Sequence, residues 1–244
     1  MEEAFLRTEM LLGRPAMEKL SRSHVAILGL GGVGSWCAEA LARSGVGTLT
    51  LADCDMVSPS NLNRQLVATR ETLGHPKAKV MAERISQLSP ICKVFSLVYR
   101  YTPDNRETFF VGNYDFIVDA IDTVSCKLDL IQTALSRNIP IVSALGTGNK
   151  LDPTRFRITD ISKTQGCPLA RVVRKELRSR GVLHHRVLWS DEEPLSPLFP
   201  GEAPPPGRRS IPGSVSWVPS CAGLMLAGDV VLALTERERQ IISE

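Results

Sequence analysis

The sequence of 244 residues predicts an α/β fold, with a Rossmann-like and mostly parallel sheet that has helices on both faces. Short apolar segments rich in β-branched residues alternate with longer segments in which apolar residues recur every three or four positions. This alternation is typical of a parallel sheet covered by helices. A glycine-rich loop also joins the first apolar segment to the first helical one. We therefore expect a single domain with a nucleotide-binding core (1–150) and a C-terminal extension (151–244).

The core contains five predicted strands and three predicted helices in alternation. Each strand segment is short and nearly continuously apolar, as strands buried on both faces are. The predicted strands are His24–Gly29, Thr48–Asp53, Lys93–Val98, Phe116–Asp119 and Pro140–Ala144. The predicted helices are Gly32–Ser44, Lys77–Leu88 and Ser125–Arg137.

The extension has a different pattern. Residues Arg155–Asp160 alternate between apolar and polar, which predicts an antiparallel strand. A basic helix is predicted over Pro168–Arg180 and a closing helix over about Ser220–Arg239. Between these helices, residues 193–213 include seven prolines and three glycines. That composition predicts a long mobile loop over about 190–213.

Composition and segment lengths limit the class of protein. Six cysteines without any C-x-x-C pair argue against a zinc site and against a dense disulfide framework. The N-terminus lacks the basic and apolar regions of a secretory signal. The longest apolar segment, Leu224–Leu234, is interrupted by Gly228 and Asp229 and is too short to span a bilayer. We therefore expect a cytoplasmic protein that is not inserted in a membrane.

Positive charge is concentrated in one part of the extension. The net charge is only +3, yet seven positive residues and one negative residue lie between Lys163 and Arg186. Such a run is either a solvated helix face or a surface that contacts a phosphate backbone. The candidate nucleic-acid contacts on the basic helix are Arg171, Arg174, Lys175 and Arg178.

The glycine-rich loop predicts a phosphate site. Its glycines, in the pattern G-x-G-x-x-G, follow a strand and open a helix, where free backbone N–H groups and positive potential favour a phosphate. Asp53 ends the next strand, where a carboxylate accepts hydrogen bonds from ribose hydroxyls. At this point an NAD-dependent enzyme and an ATP-dependent enzyme fit equally well. The loop glycines are Gly29, Gly31, Gly32 and Gly34.

A polar cluster behind the loop favours ATP. Hydride transfer to a nicotinamide needs no dense set of cations and amides, whereas phosphoryl and nucleotidyl transfer needs cations on the phosphates and donors near the leaving group. Arg64 offers a planar fork and Lys77 a point charge, and Arg14 is a third candidate that is otherwise a surface arginine. The uncharged candidates are Asn61, Asn63 and Gln65.

Two carboxylates follow the fourth predicted strand. Ligands of open α/β sheets bind at the carboxyl ends of the strands, so Asp119 and Asp122 lie at the expected edge. One of them is a candidate ligand for the Mg²⁺ that accompanies ATP. Asp122 is the stronger candidate because it lies on the loop side of the next helix, whereas Asp119 more simply caps the strand end.

Together these motifs resemble the ubiquitin-activating-enzyme-like adenylyltransferase superfamily, whose bacterial members include the ThiF and MoeB proteins. The motifs are Gly29–Ser35, Asp53-x-Asp55, Asn61–Gln65, Gly74-x-Pro76-Lys77 and Asp119-x-x-Asp122. The resemblance implies that ATP contacts the loop glycines, Asp53, Asp55, Asn61, Asn63 and Gln65. It further implies that Arg64 and Lys77 hold the phosphates and that Asp122 binds Mg²⁺. Arg14 is then expected to reach across a homodimer into the ATP site of the partner.

Within this superfamily the sequence is most similar to the tRNA threonylcarbamoyladenosine dehydratases. The similar segments are Gly31–Gly45, Thr159–Thr164 and Pro168–Ala170 with the basic helix after it. The resemblance implies an ATP-dependent cyclisation in which the threonyl carboxylate of the modified adenosine is activated and the adjacent carbamoyl group closes on it. The basic helix would then contact tRNA. The alternative is adenylation of the C-terminal glycine of a small ubiquitin-like sulfur-carrier protein, and a sulfur-transfer partner protein is possible.

Overall fold

The computed structural model describes residues 3–110, 112–198 and 212–236, and these form one seven-stranded sheet with helices on both faces. The strand order is β3-β2-β1-β4-β5-β7-β6, and every neighbouring pair is parallel except β6 and β7. The predicted fold class is therefore confirmed. The strands are β1 His24–Leu28, β2 Thr48–Ala52, β3 Lys93–Leu97, β4 Phe116–Asp119, β5 Ile141–Ala144, β6 Phe156–Asp160 and β7 Arg186–Ser190.

Two apolar layers enclose the sheet. Successive strand residues point to opposite faces, so Val25 and Ile27 of β1 enter one core while Ala26 and Leu28 enter the other. The helices are α1 Leu6–Leu12, α2 Arg14–Arg22, α3 Gly34–Arg43, α4 Lys77–Leu88, α5 Val124–Ser136, α6 Pro168–Ser179 and α7 Trp217–Leu234. The first core lies under α3, α4 and α7, and the second lies under α5 and α6.

The elements predicted for the core are confirmed with small shifts at their ends. Helix α4 has the predicted bounds, and helix α5 is displaced by one residue toward the N-terminus. In the extension, β6 begins at Phe156 because Pro153–Arg155 form a short 3₁₀-helix instead. The basic helix is also confirmed, as α6.

Strand β7 has no counterpart among the predicted strands. It begins at Arg186, where the run of positive charge ends, and its remaining four residues are buried. Because β7 pairs parallel with β5 and antiparallel with β6, the extension continues the sheet of the core. Helices α1 and α2 were likewise not predicted.

Helix α7 begins at Trp217, three residues before the predicted start at Ser220. Pro219 lies in its first turn, where a backbone N–H has no intrahelical partner in any case. The apolar segment is therefore longer than the predicted Leu224–Leu234. Within the part of the chain that the structure describes, α7 is the one helix that could cross a membrane by length and composition alone. More than half of it is buried, mainly against α3.

The predicted proline-rich loop lies largely outside the described residues. Residues 191–198 and 212–216 are described and contain no helix or strand. Residues 199–211 are outside the described ranges, as is the predicted end of the closing helix at Arg239.

Candidate active site

Most of the predicted nucleotide-binding residues lie near the point where the strand order reverses. Strands β2 and β3 lie on one side of β1, and β4 and β5 lie on the other. The crevice between the loops after β1 and β4 is the topological switch point at which open α/β sheets bind ligands. The glycine-rich loop follows β1, Asp53 follows β2, and the loop of Ala120–Asp122 follows β4.

Two glycines of the loop are required by the backbone itself. Gly29 has a φ of +93°, and a Cβ there would lie 2.5 Å from the Ala120 carbonyl oxygen. A Cβ on Gly34 would lie 1.8 Å from the Gly29 carbonyl oxygen. The loop after β1 therefore closes on itself and stacks on the loop after β4 only because these positions lack side chains.

Gly31 is different, because a Cβ there would fit without a clash. The nearest atom would be Nε2 of Gln65, 3.9 Å away. Gln65 is buried, and its Oε1 has no hydrogen-bond partner among the described residues. Because Nε2 is the atom nearest to the space at Gly31, Gln65 can donate a hydrogen bond to a polar ligand there. A triphosphate, which accepts hydrogen bonds from N–H groups, matches that donor set.

Asp53 links the glycine-rich loop to the end of β2. Its Oδ2 accepts a hydrogen bond from the backbone N–H of Leu30 (2.6 Å), and its Oδ1 accepts one from the N–H of Asp55 (2.8 Å). Burial raises the pKa of Asp53, although the charge of Lys77 and these two hydrogen bonds act in the opposite direction. Each carboxylate oxygen keeps a further lone pair, so the predicted contact with ribose hydroxyls is geometrically open.

Lys77 supplies a buried cation at this edge. It is the first residue of α4, only 5% exposed, and its Nζ donates to Oδ2 of Asp55 at 3.1 Å. Burial alone would raise the pKa of Asp55, but the charge and the hydrogen bond of Lys77 hold it below the usual range. Because the carboxylate of Asp55 is largely exposed, an incoming phosphate can compete with it for the ammonium group.

Arg64 is held beside the glycine-rich loop. Its Nη1 donates to the Ser60 carbonyl oxygen (2.8 Å) and to Oδ1 of Asn63 (2.9 Å). The indole N–H of Trp36, on α3, donates to the carbonyl oxygen of Arg64 at 3.2 Å. A Cβ on Gly32 would lie 3.5 Å from Cγ of Arg64. Burial lowers the pKa of Arg64, which nevertheless remains a cation.

The two asparagines of the cluster have structural partners. Oδ1 of Asn61 accepts from the backbone N–H of Ser58 at 3.1 Å and so shapes the turn that precedes Arg64. Nδ2 of Asn63 donates to the Ser214 carbonyl oxygen at 2.9 Å. Asn63 therefore connects Arg64 to the segment that leads into α7, a contact that no local sequence signal reveals.

Asp119 is an internal structural group, as its strand-end position predicted. It is fully buried, and its Oδ2 accepts from Nζ of Lys127 at 2.7 Å. Nζ of Lys127 also donates to the Ala144 carbonyl oxygen at 3.0 Å, so this lysine ties the end of β4 to the end of β5. Lys127 was missed in the sequence. Its spacing could have indicated that it is buried, because Lys127 shares a helix face with the apolar Val124 and Ile131.

Asp122 lies at the same edge but outside any cluster of metal ligands among the described residues. It is exposed, and its Oδ1 accepts from the Thr123 hydroxyl at 3.3 Å. Among the described residues, one group of neighbouring side chains could hold a metal ion, and it consists of Asp53, Cys54 and Asp55. A single carboxylate together with substrate phosphates is still a common Mg²⁺ environment. The role of Asp122 as a magnesium ligand stays a prediction.

Arg14 is an exposed surface residue. It opens α2, its side chain is 78% exposed, and its Nε donates to Oε1 of Glu18 at 3.1 Å. Such exposure is what a residue that reaches into a partner subunit requires. This role of Arg14 also stays a prediction.

The basic helix α6 presents three of its four predicted contacts on one face. Arg171, Lys175 and Arg178 follow one another at spacings of four and three residues and are all exposed. Arg174 differs, because its Nη1 donates to the carbonyl and hydroxyl oxygens of Thr164 at 2.7 and 2.6 Å. Helix α6 begins near the loop that follows β5, at the same edge as the glycine-rich loop.

Comparison with known proteins matches nearly the whole chain to one family. The model of the ThiF family matches residues 5–243. A tRNA threonylcarbamoyladenosine dehydratase of Bacillus subtilis is 44% identical over 238 residues, which is 94% of either chain. The ThiS sulfur-carrier adenylyltransferase of Escherichia coli is 38% identical over 55% of this chain and 54% of its own.

Solved structures agree with the sequence matches. The ATP complex of the E. coli tRNA N6-threonylcarbamoyladenosine dehydratase has a TM-score of 0.86 at 35% identity, covering 96% of this chain and 94% of that one. The AMP complex of the same E. coli protein has a TM-score of 0.87 at the same identity and coverage.

Proposed function

The chain belongs to the ThiF family, and we propose that it catalyses the ATP-dependent dehydration of threonylcarbamoyladenosine in tRNA by activating the threonyl carboxylate. One observation carries the proposal. The cations Arg64 and Lys77 and the open position at Gly31 meet at the switch point of the sheet. The chain around them also matches a B. subtilis dehydratase over nearly its full length.

ATP is proposed to lie along the glycine-rich loop. Its ribose contacts Asp53, and its phosphates lie beside Gly31, where the N–H groups at the start of α3 point toward them. Gln65 donates to a phosphate oxygen, Lys77 leaves Asp55 for the phosphates, and the guanidinium of Arg64 binds them from the other side. These contacts stabilise the negative charge of the triphosphate.

The chemistry proposed is attack on phosphorus followed by ring closure. A carboxylate oxygen of the threonyl group attacks the α-phosphate of ATP, and the bond to pyrophosphate breaks. The carbamoyl group then attacks the activated carbonyl carbon and loses a proton to solvent water. AMP leaves with one of the former carboxylate oxygens. The nucleoside thereby loses the elements of one water. Arg64 and Lys77 are expected to act most strongly while charge moves onto pyrophosphate.

Asp122 is the residue proposed to hold Mg²⁺ with the phosphates. The donor set fits, because magnesium is commonly bound by one or two carboxylates together with phosphate oxygens. The ion would neutralise part of the phosphate charge.

The tRNA is proposed to contact α6. The exposed face of α6 offers three cations, Arg171, Lys175 and Arg178, on a helix that begins at the same edge of the sheet as the glycine-rich loop. Such a face binds a phosphate backbone without reading its sequence. Arg174 is assigned a supporting role instead, because its guanidinium holds Thr164.

We also propose that the protein is a cytoplasmic homodimer without a membrane-inserted segment. Helix α1 exposes Leu6, Met10 and Leu11, with 55%, 77% and 78% of their surfaces accessible. Arg14, the first residue of α2, comes soon after this apolar surface in the chain and would reach into the partner subunit's ATP site. A second copy of the chain would cover this apolar surface and complete the cation set of each site.

Sulfur-carrier adenylation, the alternative from the sequence, is the weaker proposal. The ThiS adenylyltransferase matches about half of this chain, whereas the B. subtilis dehydratase matches nearly all of it. A sulfur-transfer partner protein stays a possibility that no contact described above requires.

The test is mass spectrometry of nucleosides from tRNA that carries linear threonylcarbamoyladenosine. After incubation with the protein and Mg-ATP, that nucleoside should lose one water, and omission of ATP should prevent the loss. The tRNA must be isolated under conditions that keep the cyclic product closed. If a folded, ATP-binding preparation leaves the nucleoside unchanged, the proposed function is wrong.

A further inference from the structure

Trp217 lies at the rim of the proposed ATP site. It is the first residue of α7, and two residues later Pro219 touches the glycine-rich loop, where a Cβ on Gly32 would lie 3.1 Å from it. Three residues before Trp217, the Ser214 carbonyl oxygen accepts the hydrogen bond from Asn63. Contacts on both sides of Trp217 therefore tie it to residues that surround the phosphates.

The indole ring is anchored at its polar edge and open elsewhere. Its N–H donates to the Leu151 carbonyl oxygen at 2.8 Å, and the backbone N–H of Leu151 is itself held by Oε1 of Glu192 at 2.8 Å. Even so, 49% of Trp217 is exposed. Because the N–H already has a partner, the exposed part of the ring can offer only apolar and π contacts.

The chemistry of the proposed substrate requires such a surface nearby. In threonylcarbamoyladenosine, four covalent bonds separate the carboxyl carbon from N6 of adenine, a span of roughly 5–6 Å at most. When the carboxylate reaches the α-phosphate, the purine must therefore lie at the rim of the ATP site. The base must also leave the anticodon-loop stack, and proteins commonly hold unstacked RNA bases on aromatic side chains.

We propose that Trp217 is the stacking platform for the modified adenine base, a specificity role that rests on the proposed function. The base lies on the exposed indole face, while the cationic face of α6 binds the phosphate backbone of the same tRNA. The loop after β5 connects the two surfaces, since it begins beside α6 at Gly146 and continues to Leu151, which anchors the indole.

The test compares Trp217→Ala with Trp217→Phe in the full-length protein, using tRNA that carries threonylcarbamoyladenosine. Loss of one base–aromatic stack should raise the KM for tRNA roughly tenfold in the alanine variant. Its kcat and its KM for ATP should stay close to those of the wild type. The phenylalanine variant should recover the KM for tRNA, because it restores the π face without the indole N–H.

Leu183→Ala is the matched control, since Leu183 is 57% exposed but precedes β7 at the opposite edge of the sheet. It should leave all three constants unchanged. The inference is wrong if Trp217→Ala keeps a normal KM for tRNA, or if the phenylalanine variant is as impaired as the alanine variant. A lower molar mass of the alanine variant in solution would also overturn it, because Trp217 would then be a contact between copies. Failure of the proposed function would appear separately, as a wild-type protein that leaves the nucleoside linear.

Discussion

Gly31 and Gly34 lie three residues apart in one loop, yet side chains at these positions would meet different surroundings. A Cβ on Gly34 would collide with the backbone of Gly29, whereas a Cβ on Gly31 would have no neighbour closer than 3.9 Å. Glycine is thus needed at 34 for the loop to form, whereas the space at 31 is where we propose that the phosphates of ATP lie. The G-x-G-x-x-G pattern alone does not separate these two roles.

We expect Gly31→Ala to fold normally and to lose ATP affinity. Its melting temperature should stay within about 2 °C of the wild type, because no described residue occupies the position of the new methyl group. ATP affinity should fall at least about tenfold, since the methyl group enters the space assigned to the phosphates. Thermal unfolding and calorimetric titration with ATP measure the two quantities.

Gly34→Ala is the control for that substitution. Relieving its clash needs a backbone shift, which should cost about 1–3 kcal/mol of unfolding free energy or more. Normal ATP affinity in the Gly31→Ala variant would contradict the placement of the phosphates beside Gly31.

At the scale of elements, continuous apolar runs are the sequence signal that predicts strands best. Strands β1, β4 and β5 are covered on both faces, so their residues form continuous apolar runs that predict them well. Strand β7 was missed because its first residue, Arg186, is also the last residue of the basic run. Lys127 was missed because the partner that makes it structural, Asp119, comes from a different element. Pairing across elements is a tertiary property that local spacing does not encode.

Helix α6 combines the face that we propose to bind tRNA with a structural arginine, and salt dependence can separate the two roles. Alanine at Arg171, Lys175 and Arg178 should weaken tRNA binding and reduce the slope of log K against log salt concentration by about one for each of these cations that binds a phosphate. The reason is that each bound phosphate releases counterions from the tRNA. Binding titrations at several salt concentrations give the slope.

Arg174→Ala is the comparison variant, because Arg174 bonds to Thr164 within the protein. It should lower the melting temperature without changing the salt slope. An unchanged slope in the triple variant would show that the tRNA is bound by another surface.

At the scale of the whole molecule, the sheet encloses a neutral histidine. His185 precedes β7 and is 4% exposed, and its Nε2 lies 2.8 Å from the hydroxyl of Ser143 on β5. Burial, assisted by the charge of Lys127, lowers the pKa of His185 to about 3, with Asp160 acting in the opposite direction. The folded protein therefore binds fewer protons at this position than the unfolded chain does.

This difference makes stability fall as the pH is lowered. At pH values between the pKa of His185 in the unfolded chain, about 6.5, and its lower pKa in the folded protein, only the unfolded state binds the proton. In this range the free energy of unfolding can fall by up to about 1.4 kcal/mol for each pH unit of acidification. Denaturant unfolding of the wild type and His185→Gln at pH 7.5 and pH 5 isolates this contribution. The glutamine variant should lose less stability between these pH values. Equal losses would mean that His185 is protonated in the folded protein.

The central step of the proposed reaction is the attack of a carboxylate of the modified nucleoside on a phosphate of ATP. The most direct measurement uses tRNA whose threonyl carboxylate carries heavy oxygen, followed by mass spectrometry of the released nucleotide and of the nucleoside. Carboxylate activation predicts that AMP gains one heavy oxygen and that the cyclic nucleoside keeps the other. AMP without the label, from tRNA that has been converted to the cyclic form, would contradict carboxylate attack on ATP.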